Sequence, residues 1–311
     1  MVATTARTLA LFAAIIALFV VVGALLGQYL FGSFLGGLAI ALGLSLVLNL
    51  VSYFFCDKFV LWSNRAQLVT AEQVPRLAKI VAELAPQFGL VEPRLALIPT
   101  QTPNAFATGR DERHAVVAAT EGILRLLDDR ELRGVLAHEL AHIKDRDILL
   151  MTFAATLAGA ISYAAQMVFF SAMFGGGNNR QGGNPIILLF AALTAPIAAM
   201  LIQLAISRSR ESRADEVGAQ TIRDPNSLAD ALQKLEVYNE RRPMPFGSPS
   251  SSSLFIVNPF RGSWFSSLFS THPPIEARIR RLRAMGADVR YSPTVRSPRL
   301  NTGSSSRWAR G

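Results

Sequence analysis

The sequence has 311 residues, of which 50% are hydrophobic and only 17% are charged, and its formal net charge is +9. This composition argues against a single soluble domain and makes lipid the expected solvent for part of the chain. The basic residues gather after the apolar runs and towards the C-terminus without a nucleic-acid-binding motif, so we expect no nucleic-acid partner. The single cysteine excludes an intrachain disulfide.

Two pairs of uncharged, apolar runs predict four transmembrane helices in two hairpins. No Asp, Glu, Lys or Arg occurs from Thr8 to Cys56, and a glycine-rich stretch at 27–37 divides this run. The second pair begins at Ile148 and Pro185. Each run approaches or exceeds the roughly 20 apolar residues that cross a bilayer. The first run is too long, and too soon followed by another, for a cleaved signal peptide.

Charge sets the expected orientation. The loop within the first hairpin has no basic residue and the loop within the second has only Arg180, whereas Lys58, Arg65 and Arg208 flank the other ends. The positive-inside rule therefore predicts that both termini and the polar segments lie in the cytoplasm. The expected segments are a first hairpin (1–57), a first half of a catalytic domain (58–147), a second hairpin (148–206), a second half (207–286) and a disordered basic tail (287–311).

The polar segments predict helices and a small sheet that fold together. Thr70 and Gln73 form a capping-box pattern at the start of one amphipathic helix, and Asp128 with Glu131 marks the start of another. The runs RLALIPT and HAVVAAT are β-prone. Asp224, followed by proline, is a typical N-cap.

The second of those helices carries the motif HELAH. His138 and His142 lie one turn apart on the same face, so both imidazoles can bind one metal ion. Glu139 lies beside them. This is the H-E-x-x-H arrangement, in which zinc activates a water and the glutamate takes its proton as the water attacks a peptide carbonyl. Asp145 stands where metzincins have glycine, and no third histidine follows, so the third ligand must come from elsewhere.

Glu211 is the candidate third ligand. At a rise of about 1.5 Å per residue, the second hairpin brings His142, before its first span, level with Glu211, after its last span. Asp215 lies one turn further along the same face, where it can accept a hydrogen bond from the outer nitrogen of a ligating histidine. The alternative is that both carboxylates pair with neighbouring arginines on a solvated helix.

The motifs HELAH, SRSRESRAD and THPP, with the second pair of apolar runs, resemble the HtpX heat-shock membrane proteases, bacterial relatives of the CaaX prenyl endopeptidases. The resemblance covers most of the chain and leaves out the tail. It implies an α+β zincin-like fold of the gluzincin type, mostly helical and cytoplasmic, combined with four transmembrane helices in the bacterial inner membrane. It also implies a zinc endopeptidase with one zinc ion per chain that degrades misfolded or damaged membrane proteins and unfolded polypeptides, in possible cooperation with other membrane proteases.

The same resemblance assigns roles to single residues. His138, His142 and Glu211 match the zinc ligands. Glu139 matches the general base, and Asp215 matches a carboxylate that supports a ligand. The position after Glu211 is a serine where relatives often carry an aromatic residue, which leaves the local packing open.

Two further matches concern substrate. The stretch PNAFATG resembles the part of the family that lies beside the substrate, where an edge strand can pair with a peptide; its residues are Asn104, Ala105, Phe106 and Ala107. An ordinary turn after Pro103 is the alternative. His272, in THPP, matches a position that contacts the oxyanion of the intermediate, or else it caps the helix that follows.

Three rival functions remain at this point. An intramembrane protease would embed its motif in an apolar helix, but charged residues flank HELAH on both sides. A zinc transporter would need ligands within the spans. A catalytically inactive scaffold or chaperone is the main alternative, although the intact His-Glu-His trio favours an enzyme. The phenylalanine-rich linker at 253–269 is expected to lie in the membrane interface and guard the approach to the site.

Overall fold

The computed structural model describes residues 32–152, 208–241, 254–257 and 274–287, together with a few isolated positions before residue 32. Most of the predicted first and third spans, the fourth span, His272 and nearly all of the basic tail lie outside the described residues.

Helix α1, Phe34–Ser63, is long and apolar enough to cross a membrane. The hydroxyl of Ser33 caps it by accepting a hydrogen bond from the Gly36 N–H at 3.0 Å. Large apolar side chains are exposed along much of its length, among them Leu35, Ile40 and Leu50. The helix extends past the last residue of the uncharged run, Cys56, and ends at Ser63.

A four-stranded sheet follows. Its strands are β1, Gln67–Val69; β2, Arg94–Ile98; β3, Ala105–Thr108; and β4, Val116–Thr120. The order is β1-β2-β4-β3, with β2 and β4 parallel and the two outer pairs antiparallel. The two β-prone runs form β2 and β4, as predicted. Strand β3 is an edge strand of this sheet.

Six further helices have both ends within the described residues. They are α2, Pro75–Phe88; α3, Glu121–Leu126; α4, Asp129–Lys144; α5, Arg208–Ile222; α6, Pro225–Arg241; and α7, Ile275–Gly286. The predicted capping box of Asp128 and Glu131 is present at α4. The box predicted at Thr70 is wrong: the Gln73 side chain accepts the Thr70 N–H within a turn, and α2 begins only at Pro75, because proline is favoured in the first helical turn.

Helix α4 is the centre of the core and packs against α2, α5, α6 and β3. Leu132, Leu136 and Leu140 recur along it and are fully buried. Gly134 permits a close crossing with α6, since an added Cβ would lie 2.6 Å from the Leu228 nitrogen. Because α4 precedes the second apolar pair and α5 and α6 follow it, the two polar segments share one core.

Residues 254–257, which we call the inner segment, are buried, with exposed fractions of at most 5%. Ile256 and Val257 belong to the main core. Leu254 and Phe255 belong to a second apolar cluster, which also contains Val60 and Leu61 from the end of α1 and Phe106 from β3. The prediction of a linker in the membrane interface is therefore wrong for these four residues, and the remainder of that linker lies outside the described residues.

Candidate active site

The two histidines of HELAH face each other across one turn of α4. Their Nε2 atoms are 3.2 Å apart, and their rings meet edge to face with centroids 4.7 Å apart. His138 is 1% exposed and His142 is 3% exposed. The helical spacing alone brings both nitrogens to one point, as the sequence predicts.

Glu211 reaches the same point from α5. One carboxylate oxygen lies 3.5 Å from His142 Nε2 and the other lies 3.7 Å from His138 Nε2. The close approach of α5 to α4 depends on Gly218, since an added Cβ would lie 3.2 Å from the main-chain nitrogen of His138. Helix α4 precedes the second apolar pair in the sequence and α5 follows it, and the two helices pack against each other at the histidines.

Each histidine has a carboxylate near its outer nitrogen. Asp215 Oδ1 lies 3.0 Å from His138 Nδ1, so Asp215 can accept the proton of that nitrogen and fix the ring. Asp147 Oδ2 lies 3.6 Å from His142 Nδ1, just beyond hydrogen-bond distance. Asp147 is also 3.6 Å from the guanidinium of Arg210.

A buried arginine completes the arrangement around Asp215. Arg278, from α7, is 2% exposed and donates to both Asp215 oxygens, at 2.7 and 3.1 Å. Its third nitrogen lies 3.6 Å from Glu211 Oε2. Arg281 adds a further bond to Asp215 at 2.7 Å. Charge-assisted hydrogen bonds thus hold α7 against the site.

The side chain of Glu139 is held by the sheet. The Ala107 N–H in β3 donates to Glu139 Oε2 at 2.8 Å. Burial raises the pKa of Glu139 to about 8. A metal cation at the histidines would lower that pKa again, because it favours the ionised carboxylate.

Burial and charge shift the other titratable groups. Burial lowers the pKa of His138 to about 4. Burial would also lower the pKa of His142, but the carboxylates of Asp147 and Glu211 outweigh it and raise that pKa to about 9. Burial works against the charged form of Asp215, yet the positive charge of Arg278 holds its pKa well below the usual range. The surrounding carboxylates thus favour positive charge at His142.

The donor atoms fit a metal ion. His138, His142 and Glu211 each offer one ligand atom, and these atoms lie within 4.8 Å of one another. Two imidazole nitrogens and one carboxylate oxygen form a common donor set of catalytic zinc sites, which leave a fourth position for water or substrate. The burial of all three side chains makes an ordinary solvated ion pair an inadequate explanation of the cluster.

Most of the predicted site residues converge, and the alternative of a solvated helix for Glu211 and Asp215 is wrong. These two side chains are 2% and 0% exposed. Asn104 and residues 105–107 are buried. Residues 105–107 belong to β3 and Asn104 directly precedes it, so this stretch is not an ordinary turn. His272 lies outside the described residues.

Sequence reasoning missed Arg278 and Asp147. Arg278 belongs to the basic run RIRRLR, which is typical of exposed charge, although it lies three residues after Ile275 and four before Leu282, on the apolar stripe of α7. That helical spacing was the available signal. Asp147 follows His142 by five residues and starts the helical stretch at 147–152, so its spacing gave no direct indication of a contact.

Comparison with known proteins identifies the family. The model of peptidase family M48 matches residues 71–286, which include all of the converging residues. The chain belongs to peptidase family M48. As an M48 member with this donor cluster, it is an HtpX-like metalloprotease.

Two curated relatives show how far the M48 likeness extends. A protease HtpX homolog of Syntrophobacter fumaroxidans is 52% identical over 283 residues, covering 90% of this chain and 98% of the relative. A protease HtpX homolog of Pyrococcus furiosus is 49% identical over 284 residues, covering 91% of this chain and 96% of the relative. The resemblance to HtpX proteases predicted from the sequence motifs is confirmed. Among solved structures, S. mikatae Ste24p matches at a TM-score of 0.47 and 19% identity, over 90% of this chain and 65% of that protein.

Proposed function

We propose that this protein is a membrane-embedded zinc endopeptidase that cleaves misfolded or damaged membrane proteins at the cytoplasmic face. His138, His142 and Glu211 would hold one zinc ion per chain. The observation that carries the proposal is their convergence: three buried donors from two helices lie within 4.8 Å, beside a glutamate held by a strand.

Several residues of the chain have separate roles in peptide hydrolysis. A zinc ion, when bound, supplies Lewis-acid chemistry that polarises the scissile carbonyl and acidifies water. Glu139 takes the proton of the attacking water and delivers it to the nitrogen of the leaving amine. Its other contact, the 2.8 Å bond from Ala107, fixes the orientation of the carboxylate. Asp215 holds the ring of His138 in one orientation and tautomer.

Strand β3 is the proposed binding place for the substrate main chain. Residues 105–107 lie at the end of the sheet, and Ala107 also contacts Glu139, so a peptide added to this strand would pass the catalytic carboxylate. Asn104 precedes the strand and offers a buried side-chain amide for main-chain groups. His272 is proposed as a contact for the oxyanion.

The proposed membrane arrangement has four spans in two hairpins, with both termini in the cytoplasm of a bacterial cell. The exposed apolar side chains along α1 support a lipid environment for that helix, because water would disfavour so large an apolar surface. Val60, near the end of α1, and Phe106 of β3 belong to the same buried apolar cluster, so the site lies close to the end of this span. Such a position suits substrates that emerge from the bilayer.

An inactive scaffold or chaperone is the competing function, and nothing in the geometry favours it. Metal analysis of detergent-purified protein, combined with casein digestion with and without a chelator, tests the proposal. We expect about one zinc ion per chain and digestion that stops on chelation and returns on adding zinc. A full metal content without digestion would support the scaffold.

A further inference from the structure

The edge strand β3, which the proposed function assigns to substrate, already bonds with another segment of the same chain. The Ile256 N–H donates to the Ala105 carbonyl at 3.3 Å. The side-chain amide of Asn104 donates to the Val257 carbonyl at 2.5 Å, and its oxygen lies 3.5 Å from the Val257 nitrogen. Two residues of the inner segment thus bond with β3 and the residue that precedes it.

These contacts are on the side of β3 that faces away from the rest of the sheet. Residues 105 and 107 alternate with Phe106 along the strand, and their polar groups are used by partners outside the sheet. The Ala105 carbonyl accepts from Ile256, and the Ala107 N–H donates to Glu139. A peptide that adds to this edge as a new strand needs the same groups.

The inner segment also reaches the neighbourhood of the proposed metal ligands. Arg278 donates to the Ile256 carbonyl at 3.2 Å. The same guanidinium lies 3.6 Å from Glu211 Oε2 and 3.4 Å from His138 Nε2. One side chain therefore links the main chain of the inner segment to two candidate ligands.

The side chains of the inner segment fill an apolar environment. Phe255 is fully buried and packs edge to face on Phe106, with ring centroids 5.1 Å apart. Ile256 and Val257 are 2% and 5% exposed. Polar contacts to the main chain combined with apolar surroundings for the side chains are typical of peptide recognition by strand addition, in which main-chain bonds give affinity and side-chain pockets give specificity.

We propose that the inner segment lies in the binding place of an extended apolar peptide, so that the site takes extended apolar stretches and the inner segment competes with them. This rests on the proposed function for the assignment of β3 to substrate. A charged stretch would be disfavoured, because its side chains would lose water without gaining partners in this environment. Apolar stretches exposed by a misfolded membrane protein have the required composition.

Peptide binding to the full-length, zinc-loaded Glu139→Gln protein in detergent tests the proposal without cleavage. The probe is a fluorescent peptide with the sequence SLFIVN, which matches residues 253–258. Ile256→Pro removes the N–H that donates to Ala105, whereas the matched control Ile256→Ala keeps it. We expect Ile256→Pro to tighten binding by about tenfold or more relative to the parent, because apparent affinity scales with the fraction of accessible sites. Ile256→Ala should change it less.

A second probe tests the pairing itself. The same peptide, N-methylated at its isoleucine, cannot donate to the Ala105 carbonyl and should bind poorly to every variant. Hydrogen exchange at Ile256 in the protein with an intact inner segment adds a readout that does not depend on the proline variant. Exchange there should rise when the unmodified peptide is added and stay constant with the methylated one.

The outcomes separate this inference from the proposed function. Equal affinities of the parent and Ile256→Pro proteins, equal binding of both peptides, or unchanged exchange at Ile256 would each overturn the inference. If the wild type cleaves no substrate but peptide binding follows the expected pattern, the proposed activity fails and the inference stands. If the wild type is an active protease and the peptide never competes with the inner segment, the inference fails alone.

Discussion

The guanidinium of Arg278 donates two hydrogen bonds to the carboxylate of Asp215, at 2.7 and 3.1 Å, with both side chains buried. Asp215 in turn lies 3.0 Å from His138 Nδ1. The last described helix is therefore connected, through one carboxylate, to a candidate metal ligand that lies 140 residues earlier in the chain.

Arg278→Ala should destabilise the protein strongly. Removing one partner of a buried ion pair typically costs about 3–5 kcal/mol, and Asp215 would keep only the partly exposed Arg281 as a cationic partner. The control is Arg283→Ala on the same helix, because Arg283 pairs with Asp230 while 42% exposed, and such surface pairs contribute about 0–1 kcal/mol. The free energy of unfolding of both variants in detergent is the measurement. Equal losses of unfolding free energy in the two variants would show that the burial of Arg278 does not increase its contribution to stability.

Glu211→Ala should remove most of the zinc. Wild-type protein is expected to hold about one ion per chain, and loss of a ligand should lower affinity by more than the roughly 10–100-fold that loss of a supporting residue costs. Glu216→Ala is the control, because Glu216 lies on the same helix but is exposed. Metal content after dialysis against a weak chelator measures the effect. A normal zinc content in Glu211→Ala would remove Glu211 from the site.

Gly134→Ala should destabilise the crossing of α4 and α6. Its Cβ would lie 2.6 Å from the Leu228 nitrogen and 2.8 Å from the Ser227 carbonyl carbon, which are main-chain atoms that cannot rotate away. Such overpacking typically costs about 1–3 kcal/mol. Gly43→Ala in α1 is the control, since nothing lies within 4 Å of its added Cβ. Thermal unfolding of the two variants should differ; a neutral Gly134→Ala would contradict the close crossing.

The membrane orientation predicts the outcome of reporter fusions. A reporter that is active only outside the cytoplasm should be active when fused after Gly32 or Gly183 and silent when fused after Arg113 or Gly286. The physical reason is the gathering of basic residues at the ends of the hairpins opposite these two glycines. Activity after Arg113 would reverse the proposed orientation.

The sequence predicted the centre of the site because local rules determine it. His138 and His142 face the same way on any α-helix, and the capping box at Asp128 fixes where that helix begins. Strands β2 and β4 were evident from their composition. The pairing of Glu211 with the histidines followed from the geometry of a helical hairpin.

The remainder depends on tertiary packing that no local pattern records. Arg278 lies in a run of arginines, and only its burial at the site, where it donates to both Asp215 oxygens, distinguishes it from its more exposed neighbours. Residues 254–257 resemble an apolar linker, yet all four are buried, the first two in the cluster with Val60 and Phe106 and the last two in the main core. At Thr70 the capping signal was present, but Pro75 is the residue at which α2 begins.

The direct test of the central claim compares cleavage of a membrane-protein substrate by the wild type and Glu139→Gln at equal zinc occupancy. Glu139 contacts Ala107 and stands beside the ligands without being one of them, so the substitution should preserve fold and metal while removing the base. General-base catalysis typically contributes about 100-fold to 10,000-fold, and we expect a loss towards the upper end of this range. Equal cleavage rates would contradict the assignment of Glu139 as the base and end the proposal of a zinc protease at this site.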